Sequence, residues 1–317
     1  MKTDTTLTET LEVQTLEKRY DSECKKILSE KNVLAHIMKE CIWEYSEVDV
    51  KEIAEKYIEG TPLIGTERVF NSGSKIVGMP NEMMNSHGKK VFFDVKYQAL
   101  LPNNMDDYVG MIINIEAQND FNPGYSLVKR AGVYGAAMVI DQYGVEFETI
   151  DYNRFKKIYT IWICYDVPSE KTNSITRYDT IETPVVGQTR VNKQDYDLIS
   201  TVMVHLSKKN EAHESKLLSL LNLIFTPEIE GAKKPAILEN EYDIPSSIEI
   251  ERSMMEMCNL SKGIKEDARK EGREEGREEG REETALAIAK KMLSSNISLE
   301  QIVEFTGLSE KVIVDLS

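Results

Sequence analysis

Apolar and polar residues alternate through IINIEAQND, Ile112 to Asp120, as they would on a strand with two different faces. Ile113, Ile115 and Ala117 fall on one face, and Asn114, Glu116 and Gln118 on the other. Upstream, KKVFFDVKYQALLP reads as a strand with Val91, Phe93, Val95 and Tyr97 on one side and Phe92, Asp94, Lys96 and Gln98 on the other. The turn-rich link PNNMDDYVG predicts that the two runs pair antiparallel. KKIYTIWICYDVP is a continuous apolar run, the pattern of a central strand buried on both faces. Further strands are expected in ITRYDTIET and YDLISTVMVHLS.

The 3.6-residue period predicts the helices. SEKNVLAHIMKECIWEYSEVD carries a stripe of Val33, Ile37, Cys41 and Val48, and Glu44 falls at the missing place between the last two. A second short helix is expected over VKEIAEKYIEG, ended by Gly60 and Pro62. Others are expected in PGYSLVKRAGVYGAAMVIDQY and HESKLLSLLNLIFTP. Residues before about Asp21 are polar, rich in Thr and Glu, and expected to fray. Helix, three strands, helix and strand in this order give an α/β core with a mixed sheet.

The last third of the chain changes character. Three copies of EGRE put Arg273, Arg277 and Arg281 in one row, with Glu274–Arg277 and Glu278–Arg281 as i, i+3 pairs. Gly272, Gly276 and Gly280 each cost a helix roughly 1 kcal/mol relative to Ala. Such a helix is either a solvated charged spacer or one that a second copy approaches along the glycine row, making a homo-oligomer. SLEQIVEFTGLSEKVIVDL predicts two short helices around Thr306–Gly307, a helix-turn-helix-like cap. Such a unit can bind DNA, but few of its residues are basic, so packing or self-association is the expectation. The boundaries that follow are a polar segment over 1–28, a core domain over 29–250, the charged helix over 251–293 and the cap over 294–317.

Composition narrows the classes. The chain has 317 residues, 41% of them hydrophobic, enough for a sizeable core. No apolar run reaches the ~18 residues of a membrane span, and MKTDTTLTET lacks a signal-peptide core. Cys24, Cys41, Cys164 and Cys258 form no CxxC pair, which fits a reducing cytoplasm and neither a disulfide framework nor a zinc site. A net charge of −15 argues against a protein that coats DNA over a broad face. It leaves room for a carboxylate metal site with a local basic patch.

The polar face of the opening strand then has two readings. It faces water, as one side of an antiparallel sheet often does. Alternatively, Asp94 and Glu116 converge from neighbouring strands, and two hard oxygen ligands hold Mg²⁺ with waters left on it. A lone D…ExQ does not decide between them.

The order of the pieces is more specific. IMKECIWEY and EIAEKYIEGTP, then FFDVKYQALLP, INIEAQNDFNPGYSLVKRAGVY and IYTIWICYDVP, then MCNLSKG before the EGRE repeat and a helical cap, resemble the recombination-promoting nuclease (Rpn) family. That family lies within the PD-(D/E)XK nuclease superfamily, and the resemblance covers nearly the whole chain beyond about Asp21. It implies a restriction-endonuclease-like core, a mixed central sheet flanked by helices, with a C-terminal helical extension. It also implies a Mg²⁺-dependent (Mn²⁺ as a substitute) DNA endonuclease linked to recombination or mobile elements, with Asp94 and Glu116 as metal ligands. Gln118 stands where the superfamily usually has lysine, a variant found in this branch. A glutamine hydrogen-bonds but brings no charge, so Lys96, on the face of Asp94, is a candidate cation; an exposed strand lysine is the plainer reading. The family's third carboxylate comes from the first helix, where Glu44 is preferred to Glu40 because it interrupts an apolar stripe. Lys129, Arg130 and Tyr134, on the helix after the ExQ strand, are the implied phosphate contacts. The competing function is a non-catalytic DNA-binding or assembly protein on a decayed nuclease fold.

Overall fold

The computed structural model describes residues 3–58, 63–64, 82–84, 90–92, 94–102, 110–118, 122–142, 152–165, 167–207, 209, 213–295 and 297–316, with side chains described for fewer of them. The chain divides into two compact units, residues 17–261 and residues 1–16 with 262–317.

The segment expected to fray is helical: α1 runs over Thr3–Leu28. Tyr20, Cys24, Ile27 and Leu28 recur at i, i+4, i+7 and i+8 and are all buried, which fixes its last turns. The Ser253 hydroxyl donates to Glu23 at 2.6 Å, and the Tyr20 ring meets Tyr165 at 5.9 Å. The next helix is shorter than its period predicts. α2 covers Lys31–Cys41, and the chain turns extended at the buried Ile42. A 3₁₀ turn, Trp43–Tyr45, then delivers the Tyr45 hydroxyl to the Leu100 carbonyl. The Lys39 ammonium donates to the carbonyls of Ser46 (3.1 Å) and Val48 (2.7 Å), satisfying groups that a longer helix would have paired internally. The second short helix is present, as one α turn, α3 (Val50–Glu52), capped by Asp49 and continuing as a π turn over Ile53–Tyr57.

The strands are β1 (Leu63–Ile64), β2 (Glu82–Met84), β3 (Lys90–Phe92), β4 (Val95–Leu100), β5 (Gly110–Gln118), β6 (Lys157–Cys164), β7 (Ser174–Tyr178) and β8 (Ile199–His205). β2 and β3 form a separate antiparallel pair. The others make a six-stranded mixed sheet in the order β1-β4-β5-β6-β8-β7, with β5, β6 and β8 parallel and the remaining pairs antiparallel. The single strand expected over KKVFFDVKYQALLP is thus two, and Asp94 sits in the bend just before β4. The long apolar run is β6, central and buried along nearly its whole length.

Between β5 and β6 lies α4, Leu127–Gln142, the crossover that a parallel pair requires. It packs on the face that carries Trp162, Cys164 and Met203, through Leu127 and Ala131. Gly135 lets it approach β8: a Cβ there would lie 2.6 Å from the Ile199 Cγ2. Gln142 ties its end to β6 by two hydrogen bonds with the backbone of Lys156, at 2.7 and 3.0 Å. The remaining helices of this unit are α5 (Lys193–Tyr196), α6 (Lys216–Phe225) and α7 (Lys234–Tyr242), then the start of α8 (Ile248–Ser294).

In the other unit, α8 carries the EGRE repeat and is followed by α9 (Leu299–Thr306) and α10 (Glu310–Val314). Ala289, Ile302 and Ile313, one from each helix, are buried together. The Ser298 hydroxyl accepts from the Gln301 N–H, and Gly307, at φ 71°, ends α9 in the left-handed conformation that glycine adopts freely. No described helix is long and apolar enough to cross a membrane. The four cysteines are buried and in no disulfide.

Candidate active site

The register of β4 and β5 brings the two acids together. Val95 pairs with Ile115, so one residue further on Asp94 stands opposite Glu116. The Asp94 N–H donates to Glu116 Oε1 at 3.3 Å, and the Ala117 N–H donates to Asp94 Oδ2 at 2.9 Å. Each side chain therefore reaches across to the other's strand. Cross-strand pairing puts Lys96 beside Asn114 and Trp162 beside Glu116, all on the face that α4 covers. That face is not a solvent face: Lys96 is 1% exposed, Glu116 4% and Gln98 8%. The plain reading of Lys96 as an exposed strand lysine is overturned. Gln118 ends β5 in register with Cys164; its side chain lies outside the described residues.

A cation reaches this pair from a helix that the sequence reading left out. Lys25, on α1, lies 2.8 Å from Asp94 Oδ1 and 2.5 Å from Asp21 Oδ2. Burial alone would lower the Lys25 pKa, but the Asp94 and Asp21 carboxylates more than offset it and the amine is raised. Burial pushes the Asp94 carboxyl above its usual range, with Lys25 opposing the shift. The sequence signalled only the Asp21–Lys25 pair, an acid and a lysine at i, i+4 in YDSECK; nothing local pointed to Asp94.

Arg130 and Tyr134 also belong to this side of the sheet. Arg130 Nη2 donates to the Tyr134 hydroxyl at 2.8 Å and Nη1 to the Tyr125 hydroxyl at 3.1 Å. Its guanidinium lies 5.1 Å from the rings of both Tyr134 and Trp162. The Glu116 charge acts on both groups, reinforcing the guanidinium's charge and opposing ionisation of the tyrosine. Lys129, on the same helix, is exposed.

Glu44 is elsewhere. It accepts from the Tyr159 hydroxyl at 2.6 Å and lies 3.7 Å from the Lys157 ammonium. Tyr159 pairs with Ile113, three positions from the Trp162 that pairs with Glu116, so Tyr159 and Glu116 point to opposite faces of the sheet. The interrupted stripe is explained by this tyrosine and lysine pair. Glu40 accepts from the Leu217 N–H at 2.7 Å and from the Ser215 hydroxyl, and so caps α6.

Among the described residues, no group of three or more His, Cys, Asp or Glu side chains is placed to hold a metal. Mg²⁺ needs fewer: one or two carboxylates, with waters completing its shell. Asp94 and Glu116 fit that donor set, and the burial that disfavours the Asp94 charge is what a bound cation would relieve.

No curated protein and no solved structure matches the chain. Residues 282–317 match the family model described as the Rpn/YhgA-like nuclease family, C-terminal HTH domain. The match takes in the end of α8 with α9 and α10, and so starts before the cap boundary that the sequence pattern drew at 294. Over these residues the chain is similar to the C-terminal HTH domain of the Rpn/YhgA-like nuclease family.

Proposed function

We propose that the protein is a metal-dependent DNA endonuclease with a PD-(D/E)XK-type core, hydrolysing phosphodiester bonds. The observation that carries this reading is the mutual reach of Asp94 and Glu116 on the covered face of the sheet. Two buried carboxylates facing one another are costly unless a cation joins them. Asp94 and Glu116 would hold Mg²⁺ or Mn²⁺. When bound, the metal supplies an activated water and stabilises charge on the phosphate.

The chain's own residues do the rest. Arg130, steered by Tyr134 and Tyr125, presents a planar fork of donors suited to a phosphate. Lys96 adds a buried amine on the Glu116 face. Gln118, at the position of the usual lysine, would orient the attacking water by hydrogen bonding alone. The HTH domain supports DNA as the partner. Three lysines against six carboxylates in residues 282–317 mean that its grip on phosphate is weakly electrostatic.

The second reading is a catalytically silent nuclease fold that binds DNA or assembles. Gln118 favours it, as does the engagement of both Asp94 oxygens by Lys25 and Ala117. Supercoiled plasmid incubated with Mg²⁺, Mn²⁺ or EDTA separates the two. The nuclease nicks or linearises it only with metal, and Asp94→Ala and Glu116→Ala each lower the rate at least about a hundredfold. A folded wild type that cuts with neither metal favours the silent fold, and cleavage that survives both substitutions removes this site from the reaction.

A further inference from the structure

Lys25 has no role in the reading above, yet it makes the closest charged contact to Asp94. Its side chain is 11% exposed and that of Asp94 16%, so this is no solvated surface pair. Asp21, one turn earlier on the same helix, is 39% exposed and touches the same ammonium. We propose that Lys25 is the displaceable counter-ion of Asp94 and sets the metal affinity of the site: ammonium and divalent ion compete for the carboxylate, and Lys25 withdraws to Asp21 when the ion binds. The inference rests on the metal-nuclease reading and adds a residue that the resemblance did not supply.

Three observations carry it. Asp94 Oδ2 accepts from the Ala117 N–H, a donor that β5 fixes in place, whereas Lys25 on Oδ1 sits on a flexible side chain, so Lys25 is the contact more readily given up. A single and a double positive charge on one carboxylate repel at close range. Lys25 also has somewhere to go: Asp21 already lies 2.5 Å away, and a lysine stem is flexible enough to keep that contact alone. The helix itself need not move, since Tyr20, Cys24, Ile27 and Leu28 are buried and Ser253 holds Glu23.

The test is Mn²⁺ binding, read by titration calorimetry and by the shift in melting temperature, on wild type, Lys25→Met, Lys25→Arg and Asp94→Ala. Lys25→Met should bind Mn²⁺ roughly ten- to a hundredfold more tightly than wild type, the size of one charge-assisted hydrogen bond released. It should also gain more in melting temperature on adding the ion. Lys25→Arg, whose fork can hold the carboxylate bidentately, should bind Mn²⁺ more weakly. A lysine that merely braces the fold predicts no tighter binding on its removal. Wild-type binding that depends on Asp94 but is equal or weaker in Lys25→Met overturns the counter-ion role. Should Lys25→Met not fold, unchanged or tighter affinity in Lys25→Arg overturns it instead. No Mn²⁺ binding in wild type or Lys25→Met, or binding that Asp94→Ala leaves intact, is the failure of the metal site itself, and the counter-ion falls with it.

Discussion

A single buried histidine shows how far charge governs this core. His36, on α2, donates from Nε2 to the Tyr242 carbonyl at 3.0 Å. Burial holds its pKa below the ordinary value, although the carbonyl opposes the shift by favouring the protonated ring. In the unfolded chain the ring takes up a proton near pH 6.5, while the folded ring resists until lower pH. Between those two values the unfolded state binds more protons, so the histidine's contribution to stability is lost as pH falls. Urea midpoints should therefore fall more steeply for wild type than for His36→Gln between about pH 7 and about pH 5.5. Residue-scale legibility was uneven for the same reason. Alternation put Asp94 and Glu116 on polar faces but did not choose between a solvent face and convergence; the strand register brings them together. Lys25 could not be tied to them, because nothing local says that residue 25 meets residue 94. Glu44 was legible as inward-facing but not as Tyr159's partner, since periodicity gives a direction and no address.

Helix α4 makes the corresponding case for an element. Its two glycines look equivalent in the sequence and differ in the fold. A Cβ at Gly132 meets nothing within 4 Å, whereas one at Gly135 lands on Ile199. Gly132→Ala should raise stability by about 0.5–1 kcal/mol through helix propensity. Gly135→Ala should lower it by about 1–3 kcal/mol, because a β-branched neighbour on a central strand has little room to give. Thermal melts of the two variants check the opposite signs. The strands and α4 were readable because their apolar periods are long and undisturbed. The end of α2 and the π turn after α3 were not: Lys39 takes the carbonyls of Ser46 and Val48, and a side-chain substitute for backbone pairing leaves no trace in a hydropathy pattern. The helicity of α1 was missed because its polar, Thr- and Glu-rich composition outweighed the helical spacing of Val13, Leu16, Tyr20, Cys24 and Ile27.

The whole molecule comprises two units, and the family match falls within one of them while the acid pair lies in the other. A chain ending at Gly263 should keep the cooperative unfolding of residues 17–261, whose contacts include Arg19–Glu256 at 2.5 Å and Ser253–Glu23. Circular dichroism melts check this. If α8 makes an oligomer along its glycine row, light scattering should show the shortened chain at lower mass than the full one; equal oligomeric states would remove that role. Gly276 and Gly280 have open space around them, so the row offers a surface without a described occupant.

The anchoring of α1 has a consequence during synthesis. The strands bearing Asp94 and Glu116 leave the ribosome long before Ser253 and Glu256, the residues that grip Glu23 and Arg19. At ~5–20 residues per second, the roughly 140 residues between Glu116 and Glu256 take about 7–28 s. Throughout that interval the helix carrying Lys25 lacks its C-terminal hold. The growing chain thus carries its two acids and Lys25 before the part of α8 that holds α1 has been made.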